Sequence, residues 1–356
     1  MARDLTDLAR AWQLVAFFLG EAPEPAGPVD FDVLGALAER HRVDAALAEP
    51  RLTRLSPERR VPDALWRRWR NAHAAALARA ALRAGAARKA FEALADIPAV
   101  VLKGWAAAEL LYPSPGARSF GDLDLLVPAP ELDEALRRLE PLGYRRPHQG
   151  HPTLDAPSFH ERQLVGPELE LDIHQGFNQP ARFRIDYRAV LDRSLPWPAA
   201  APNARLLAPE DAVVYQTIHA GCGELAPQCA PAVGLLDLRQ MLGPRASFWG
   251  PAGGPRLRLE DLAPRALAWG AERMLYAVLA WGARLFPTLA PAAAAAAEAL
   301  SPLTRSLLDR AVVDRASPPR LSDPLRPEVL ARKALLLRPA ARLALLAERL
   351  PQLARE

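Results

Sequence analysis

Cysteine and lysine are both scarce in this chain of 356 residues. Its two cysteines, Cys222 and Cys229, are too few for the disulfide framework of a small secreted domain, and they suit a reducing compartment. Arginine supplies all but three of the 45 basic residues, a skew that a GC-rich coding sequence produces. The formal net charge of +4 is mild for this length. Nucleic acid is therefore permitted as a partner but is not favoured.

Long apolar runs are also missing. The first seven residues lack the apolar core of a signal peptide, and the most apolar early stretch, residues 12–20, is too short to span a bilayer. We therefore expect a cytoplasmic protein without a membrane span. Half of the chain is hydrophobic, which suffices for a buried core and argues against intrinsic disorder.

The hydrophobic pattern divides the chain into three regions. Residues 1–95 repeat apolar side chains at helical spacing and include one long helix after Pro62, with a break near Gly85. Residues 96–200 mix helices with short apolar strands, and residues 201–356 are helical from Pro209 onward. The predicted strands are 97–102, 123–127, 159–165 and 169–173. This order predicts an α+β fold in which a small core lies between two helical regions.

Asp122 and Asp124 stand at the start of the second predicted strand. Residues two apart share one face of a strand, so both carboxylates project the same way while Leu123, Leu125 and Val127 face the core. Two neighbouring carboxylates repel each other, and a divalent cation relieves that repulsion. The pair therefore suits Mg²⁺ with a polyphosphate.

A candidate phosphate-binding turn precedes this strand. Lys103 and Gly104 end the first predicted strand, and a helix follows at once. Glycine lets a backbone approach a phosphate closely, and the amides at a helix N-terminus attract anions. In the last predicted strand, Glu170, Asp172 and His174 share one face.

Several motifs, in this order, resemble the uncharacterised bacterial nucleotidyltransferase family of the polymerase-β-like superfamily. They are Leu102-Lys-Gly104, Leu111-Tyr112, Arg118, Asp122-Leu-Asp-Leu-Leu-Val127, Leu142-Gly-Tyr144 and Asp172-Ile-His174. The ordered match spans about 97 to 175, and Gly104 is followed by Trp105 where the superfamily usually has serine. The resemblance implies a small mixed-sheet nucleotidyltransferase core at 96–200, flanked by the helical regions 1–95 and 201–356.

The resemblance also implies an activity and a set of site residues. Asp122, Asp124 and Asp172 would bind Mg²⁺ or Mn²⁺ and carry the catalysis. Glu170, on the same predicted face as Asp172, can be the third carboxylate instead. An NTP, with ATP favoured, would give its nucleoside monophosphate to a hydroxyl-type acceptor and release pyrophosphate. A small molecule or peptide of a biosynthetic pathway is the favoured acceptor. The nucleotide would be contacted by Lys103, Gly104, Arg118, Ser119 and His174.

Other interpretations stay open at this point. His174 can orient a carboxylate or the acceptor, or be a hydrogen-bonded structural histidine, and Arg118 can simply brace the Pro-Gly loop before the second strand. Asp237 is expected to anchor a helix contact, with the lining of a pocket as the alternative. The whole chain can also be a catalytically inactive module of the same fold that binds nucleotide or a partner, or a toxin-like enzyme that modifies tRNA or protein.

A zinc site is a weaker interpretation. His219, Cys222 and Cys229 lack the paired spacing of structural zinc ligands, so structural or incidental roles are favoured. The arginines of the predicted helices at 326–355 have no accompanying aromatic ladder for stacking on bases, which favours a solvated helix face.

Overall fold

The computed structural model describes residues 2–53, 57–150, 156, 159–177, 182–221, 232–243, 256–313 and 337. Helices dominate both ends of the described chain, and the strands lie between them. The helices are α1 Ala2–Phe18, α2 Phe31–Arg40, α3 Asp44–Leu47, α4 Asp63–Leu94, α5 Trp105–Leu110, α6 Leu132–Leu139, α7 Tyr187–Arg193, α8 Pro209–His219, α9 Ala232–Leu242, α10 Leu259–Trp269, α11 Glu272–Ala283, α12 Ala290–Ala297 and α13 Pro302–Leu308. The predicted helices at 326–355 lie outside the described residues, apart from Leu337.

Six strands form one mixed sheet in the described chain. They are β1 Ala99–Val101, β2 Asp122–Leu126, β3 Glu161–Leu164, β4 Glu170–His174, β5 Leu195–Pro196 and β6 Ala204–Leu206. The order across the sheet is β3-β4-β2-β1-β6-β5. The β2–β4 and β1–β6 pairs are parallel, and the other three pairs are antiparallel. This confirms the predicted α+β class with a mixed sheet.

Strands β5 and β6 were not predicted. They lie at the start of and within the proline-rich passage 196–209, where no strand was expected. Pro196 is in β5, at the edge of the sheet, where a residue without a backbone N–H is tolerated. Strand β6 pairs with β1 beyond residue 200, so the sheet extends past the predicted end of the core. The predicted division at 95 and 200 stays a prediction.

Helix α4 is a single helix of 32 residues, so the predicted break near Gly85 is wrong. A lone glycine weakens a helix only modestly, and tertiary packing outweighs that cost. Helix α4 buries Trp69, Phe91 and Leu94 and packs against the short 3-10 turn Pro115–Ala117 that leads into β2. The N-terminal region therefore supports the loop in front of the two carboxylates.

The buried side chains of all three regions belong to one continuous hydrophobic cluster. Within it, β1 is buried along its whole length, and Leu123, Leu125 and Val127 are buried, as predicted. In β4, Leu171 and Ile173 are buried on the core side. Among the helices of the described chain, none combines the length and the apolar character that crossing a bilayer requires.

Candidate active site

The register between β2 and β4 sets the positions of the acidic residues. The two strands run parallel, with Asp122 opposite Glu170 and Asp124 opposite Asp172. Asp124 is only 2% exposed, whereas Asp122 lies at the edge and its side chain is 38% exposed. The carboxylates therefore run from an open mouth, at Asp122 and Glu170, to a buried end at Asp124.

Asp124, Asp172 and His174 form a compact group at the buried end. Each residue offers one ligand atom, and these three atoms all lie within 4.8 Å of one another. No other group of this kind occurs among the described residues, and Glu170 is not part of it. Of the two acids that the sequence left open, the structure thus brings Asp172 next to Asp124.

Lys103 lies between the two carboxylates of β2. Its Nζ atom is 2.7 Å from Asp124 Oδ2 and 3.4 Å from Asp122 Oδ2. Burial alone would lower the pKa of Lys103, but the charges of Asp124 and Asp122 outweigh it and raise that pKa. The lysine therefore stays charged, where it offsets the repulsion between the two acids.

His174 is held between two oxygen atoms. Its Nδ1 is 3.3 Å from the Gly176 carbonyl and its Nε2 is 3.2 Å from Asp124 Oδ1. A carbonyl and a carboxylate only accept hydrogen bonds, so both ring nitrogens must carry a proton to donate. Burial opposes that charged form, but the hydrogen bond and charge of Asp124 outweigh it and raise the pKa of His174. The geometry is that of a histidine that orients a carboxylate.

Asp172 and Asp124 have opposite electrostatic settings. Burial and the charge of Asp124 raise the pKa of Asp172 to about 7. For Asp124, burial acts in the same direction, but Lys103 and His174 more than offset it and lower the pKa. Asp172 is therefore hard to ionise next to the ionised Asp124. A divalent cation bound by both carboxylates would relieve this unfavourable interaction.

The residues present fit a divalent metal ion. Asp124 Oδ2 is buried and makes no hydrogen bond of good geometry in the described chain, although the Lys103 ammonium pairs with it. Two or three carboxylates match the oxygen ligands that Mg²⁺ and Mn²⁺ prefer. The donor set thus agrees with the ions expected from the sequence.

Gly104 is the N-cap of α5 and has φ +59° and ψ −93°. Residues other than glycine rarely adopt this backbone conformation, and a Cβ atom added at Gly104 would lie 3.3 Å from Phe120 Cβ. The glycine therefore allows the chain to turn directly from Lys103 into α5. This turn places the lysine over the carboxylates of β2.

Arg118 is buried in a network with Asp237 of α9. Its Nε and Nη2 donate to the two carboxylate oxygens at 2.9 and 2.8 Å, and a third N–H donates to the Ser119 carbonyl. Tyr112 Oη also donates to Asp237, at 2.7 Å. These bonds confirm that Asp237 anchors a helix contact. They support the bracing role of Arg118, and a contact with the nucleotide by Arg118 or Ser119 stays a prediction.

Sequence reasoning missed three residues that border the site. Glu161 of β3 lies opposite His174 in the register, with Oε2 3.7 Å from His174 Nδ1. Arg83 of α4 donates to the carbonyl of Phe120, two residues before Asp122. Tyr215 of α8 is buried, and burial and the charge of Asp124 raise its pKa well above the usual value. None of these three residues belongs to a sequence motif of the site. Only the fold brings their elements, β3, α4 and α8, next to the carboxylates.

Of the three residues weighed as zinc ligands, the structure describes His219. His219 ends α8, and its ring stacks on Tyr215 with centroids 6.2 Å apart. Cys222 and Cys229 lie outside the described residues.

Comparison with known proteins identifies a family that the chain matches. The profile described as an uncharacterised nucleotidyltransferase matches residues 27–287, most of the chain. No curated protein and no solved structure matches the sequence. The matched range includes α4, the whole sheet, the carboxylates of β2 and β4, and Asp237, which is the arrangement described above. The chain therefore belongs to the uncharacterised nucleotidyltransferase family.

Proposed function

We propose that this protein transfers a nucleoside monophosphate from an NTP, with ATP as the favoured donor, to a hydroxyl group of an acceptor. The single observation that carries the proposal is the compact group of Asp124, Asp172 and His174, with Asp122 and Lys103 at its open side. The family supports nucleotidyl transfer in general. The donor base, the acceptor and metal dependence are our proposals.

The reaction requires one bond to form and one to break. An acceptor oxygen attacks the α-phosphorus, the bond from that phosphorus to the bridging oxygen breaks, and its electron pair leaves with pyrophosphate. The acceptor hydroxyl loses its proton in this step. We assign the acceptance of that proton to Asp172, the carboxylate that lies beside Asp124 in the site.

Asp122, Asp124 and Asp172 would hold Mg²⁺ or Mn²⁺, which when bound would neutralise phosphate charge and lower the pKa of the acceptor hydroxyl. His174 holds the Asp124 carboxylate in one orientation through its Nε2–H. Lys103 supplies a fixed positive charge at the same carboxylates. Preorganised charges of this kind contribute most of the rate in phosphoryl-type transfers.

The proposal is tested with NTPs that are radiolabelled at either the α- or the γ-phosphate. Each of the four NTPs is incubated with protein, Mg²⁺ or Mn²⁺, and a fractionated extract that supplies acceptors. Nucleotidyl transfer moves the α label to the acceptor and releases the γ label as pyrophosphate. Transfer of the γ label instead would identify a kinase and contradict the proposal.

Two variants serve as controls for this labelling. Asp124→Asn should abolish transfer of the α label, whereas Glu170→Gln, at the exposed neighbouring position, should retain it. A protein that binds NTP but labels no fraction would favour the inactive binding module. Labelling of tRNA or of a protein would favour the toxin-like alternative. The cytoplasmic location and the regions 1–95, 96–200 and 201–356 stay predictions alongside this function.

A further inference from the structure

Arg83 of the long N-terminal helix α4 lies at the mouth of the candidate site. Its guanidinium donates to the Phe120 carbonyl, and its Cζ atom is 5.7 Å from the centroid of the Phe120 ring. Phe120 is two residues before Asp122, the first residue of β2. The helix thus places a cation next to the open end of the carboxylate row.

A second arginine lies beside the first. Arg79 precedes Arg83 by four residues on a continuous helix, so the two share a face. Burial and the positive charge of Arg79 lower the pKa of Arg83, against the opposing charges of Asp122 and Glu170. The two cations are therefore close enough to repel each other at an acidic mouth.

This repulsion is not relieved by an ion pair in the described chain. Arg79 is exposed and forms no salt bridge there, and Arg83 uses one N–H on Phe120 while its other donors have no hydrogen-bond partner among the described residues. Guanidinium groups match phosphate oxygens with two parallel hydrogen bonds. Two adjacent arginines with free donors suit a ligand that carries several negative charges.

We propose that Arg83 and Arg79 form a polyphosphate subsite that binds the β- and γ-phosphates of the NTP. The inference rests on the proposed nucleotidyl transfer. As the bond between the α-phosphorus and the bridging oxygen breaks, the electron pair passes to pyrophosphate, and the two guanidinium groups stabilise that added charge. The carboxylates of β2 then face the α-phosphate, while α4 faces the leaving group. The N-terminal helical region thereby supplies part of the site.

The test is calorimetric binding of three ligands, each with Mg²⁺, to the full chain. They are inorganic pyrophosphate, an NTP analogue with a methylene group between its α- and β-phosphates, and the matching nucleoside monophosphate. Arg83→Ala and Arg79→Ala should each weaken binding of pyrophosphate and of the analogue about tenfold or more. Monophosphate binding should change less than twofold. The matched control is Arg70→Ala, an exposed arginine nine residues before Arg79 on the same helix.

The possible results separate this inference from the proposed function. If the wild type binds none of the ligands, both fall together. If the wild type binds them and both arginine variants match it, the subsite is wrong and the proposed function stands.

A purely structural role for Arg83 would weaken all three ligands equally, and it would leave Arg79→Ala unaffected because that side chain is exposed. Such a result overturns the inference. Arg83→Lys keeps the charge but loses the fork, so it should weaken pyrophosphate binding less than Arg83→Ala does. Circular dichroism of each variant confirms that it is folded before binding is compared.

Discussion

Removing the carboxylate of Asp237 should destabilise the protein strongly. The side chain of Asp237 is 1% exposed and that of Arg118 is 8% exposed, so Asp237→Ala removes the carboxylate that balances the charge of a buried guanidinium. Breaking a buried pair in this way costs about 3–5 kcal/mol. Tyr112 also loses the acceptor for its buried hydroxyl, which places the expected value toward the upper end of that range.

The assay is urea unfolding followed by circular dichroism, with Asp192→Ala as the matched control. Asp192 is exposed, so its removal should change the free energy of unfolding by less than about 0.5 kcal/mol. The double variant Arg118→Met/Asp237→Leu replaces both charges with apolar groups and should be more stable than Asp237→Ala alone.

Two results would refute this reasoning. One is an Asp237→Ala variant that unfolds within about 1 kcal/mol of the wild type, and the other is a double variant that is no better than the single one. The same series addresses the role of Arg118. If Arg118→Gln is as stable as the wild type but loses NTP binding, Arg118 contacts phosphate rather than bracing the helix.

Three further predictions concern the site and its supports. Gly104→Ala should cost about 1–3 kcal/mol of unfolding free energy in urea, because an alanine at this positive φ is strained and crowds Phe120; a neutral effect would contradict the strain. Without metal, Lys103→Met should melt at a lower temperature than the wild type. Mg²⁺ should raise the melting temperature of the variant more than that of the wild type, since the ion would replace the missing charge beside Asp124. Equal Mg²⁺ effects in thermal melts would argue that the ion and the lysine do not share one position. For Glu21, burial raises the pKa, but hydrogen bonds from Thr288 and Arg239 outweigh it and lower that pKa. The contribution of the Glu21 carboxylate to the free energy of unfolding is therefore complete above its unfolded pKa of about 4.3, and it is lost as the pH falls through the lowered pKa of the folded state. The difference in free energy of unfolding between the wild type and Glu21→Gln, measured by urea unfolding, should decrease over that acid range. A difference that does not change with pH would contradict the linkage.

Local patterns predicted the elements that carry the carboxylates. The alternation of Asp122 and Asp124 with buried leucines is a period of two, and the same period holds for β4, so both strands and the shared face of the acids follow from the sequence, whereas the burial of Asp124 does not. The ion pairs of Lys103 with Asp122 and Asp124 were not predicted, because Lys103 was expected only in a phosphate-binding turn, and that contact stays a prediction.

The pairing of these strands could not be derived from local patterns. Whether Asp172 or Glu170 approaches Asp124 depends on the register of β4 against β2, since a slip by two residues would place Glu170 opposite Asp124 on the same face. The strands are far apart along the chain, and no turn joins them directly. The sequence therefore left both acids open.

Contacts from distant helices were likewise hidden. Arg83 of α4 contacts the carbonyl of Phe120, just before β2, and this tertiary contact does not follow from the helical pattern of residues 63–94. Strand β6 was missed because three residues in a proline-rich passage give too short a pattern, and its parallel pairing with β1 is a tertiary effect.

The most direct test of the metal and nucleotide site is equilibrium binding of each NTP by calorimetry, with and without Mg²⁺. The wild type should bind at least one NTP only when the metal is present. The double variant Asp122→Asn/Asp124→Asn should lose that binding. The single variant Asp122→Asn changes a partly exposed side chain, so it should weaken NTP binding without unfolding the protein. Glu170→Gln should bind like the wild type. Equal NTP binding by the wild type and the double variant, or binding that needs no divalent ion, would contradict the assignment of these carboxylates as the metal–nucleotide site.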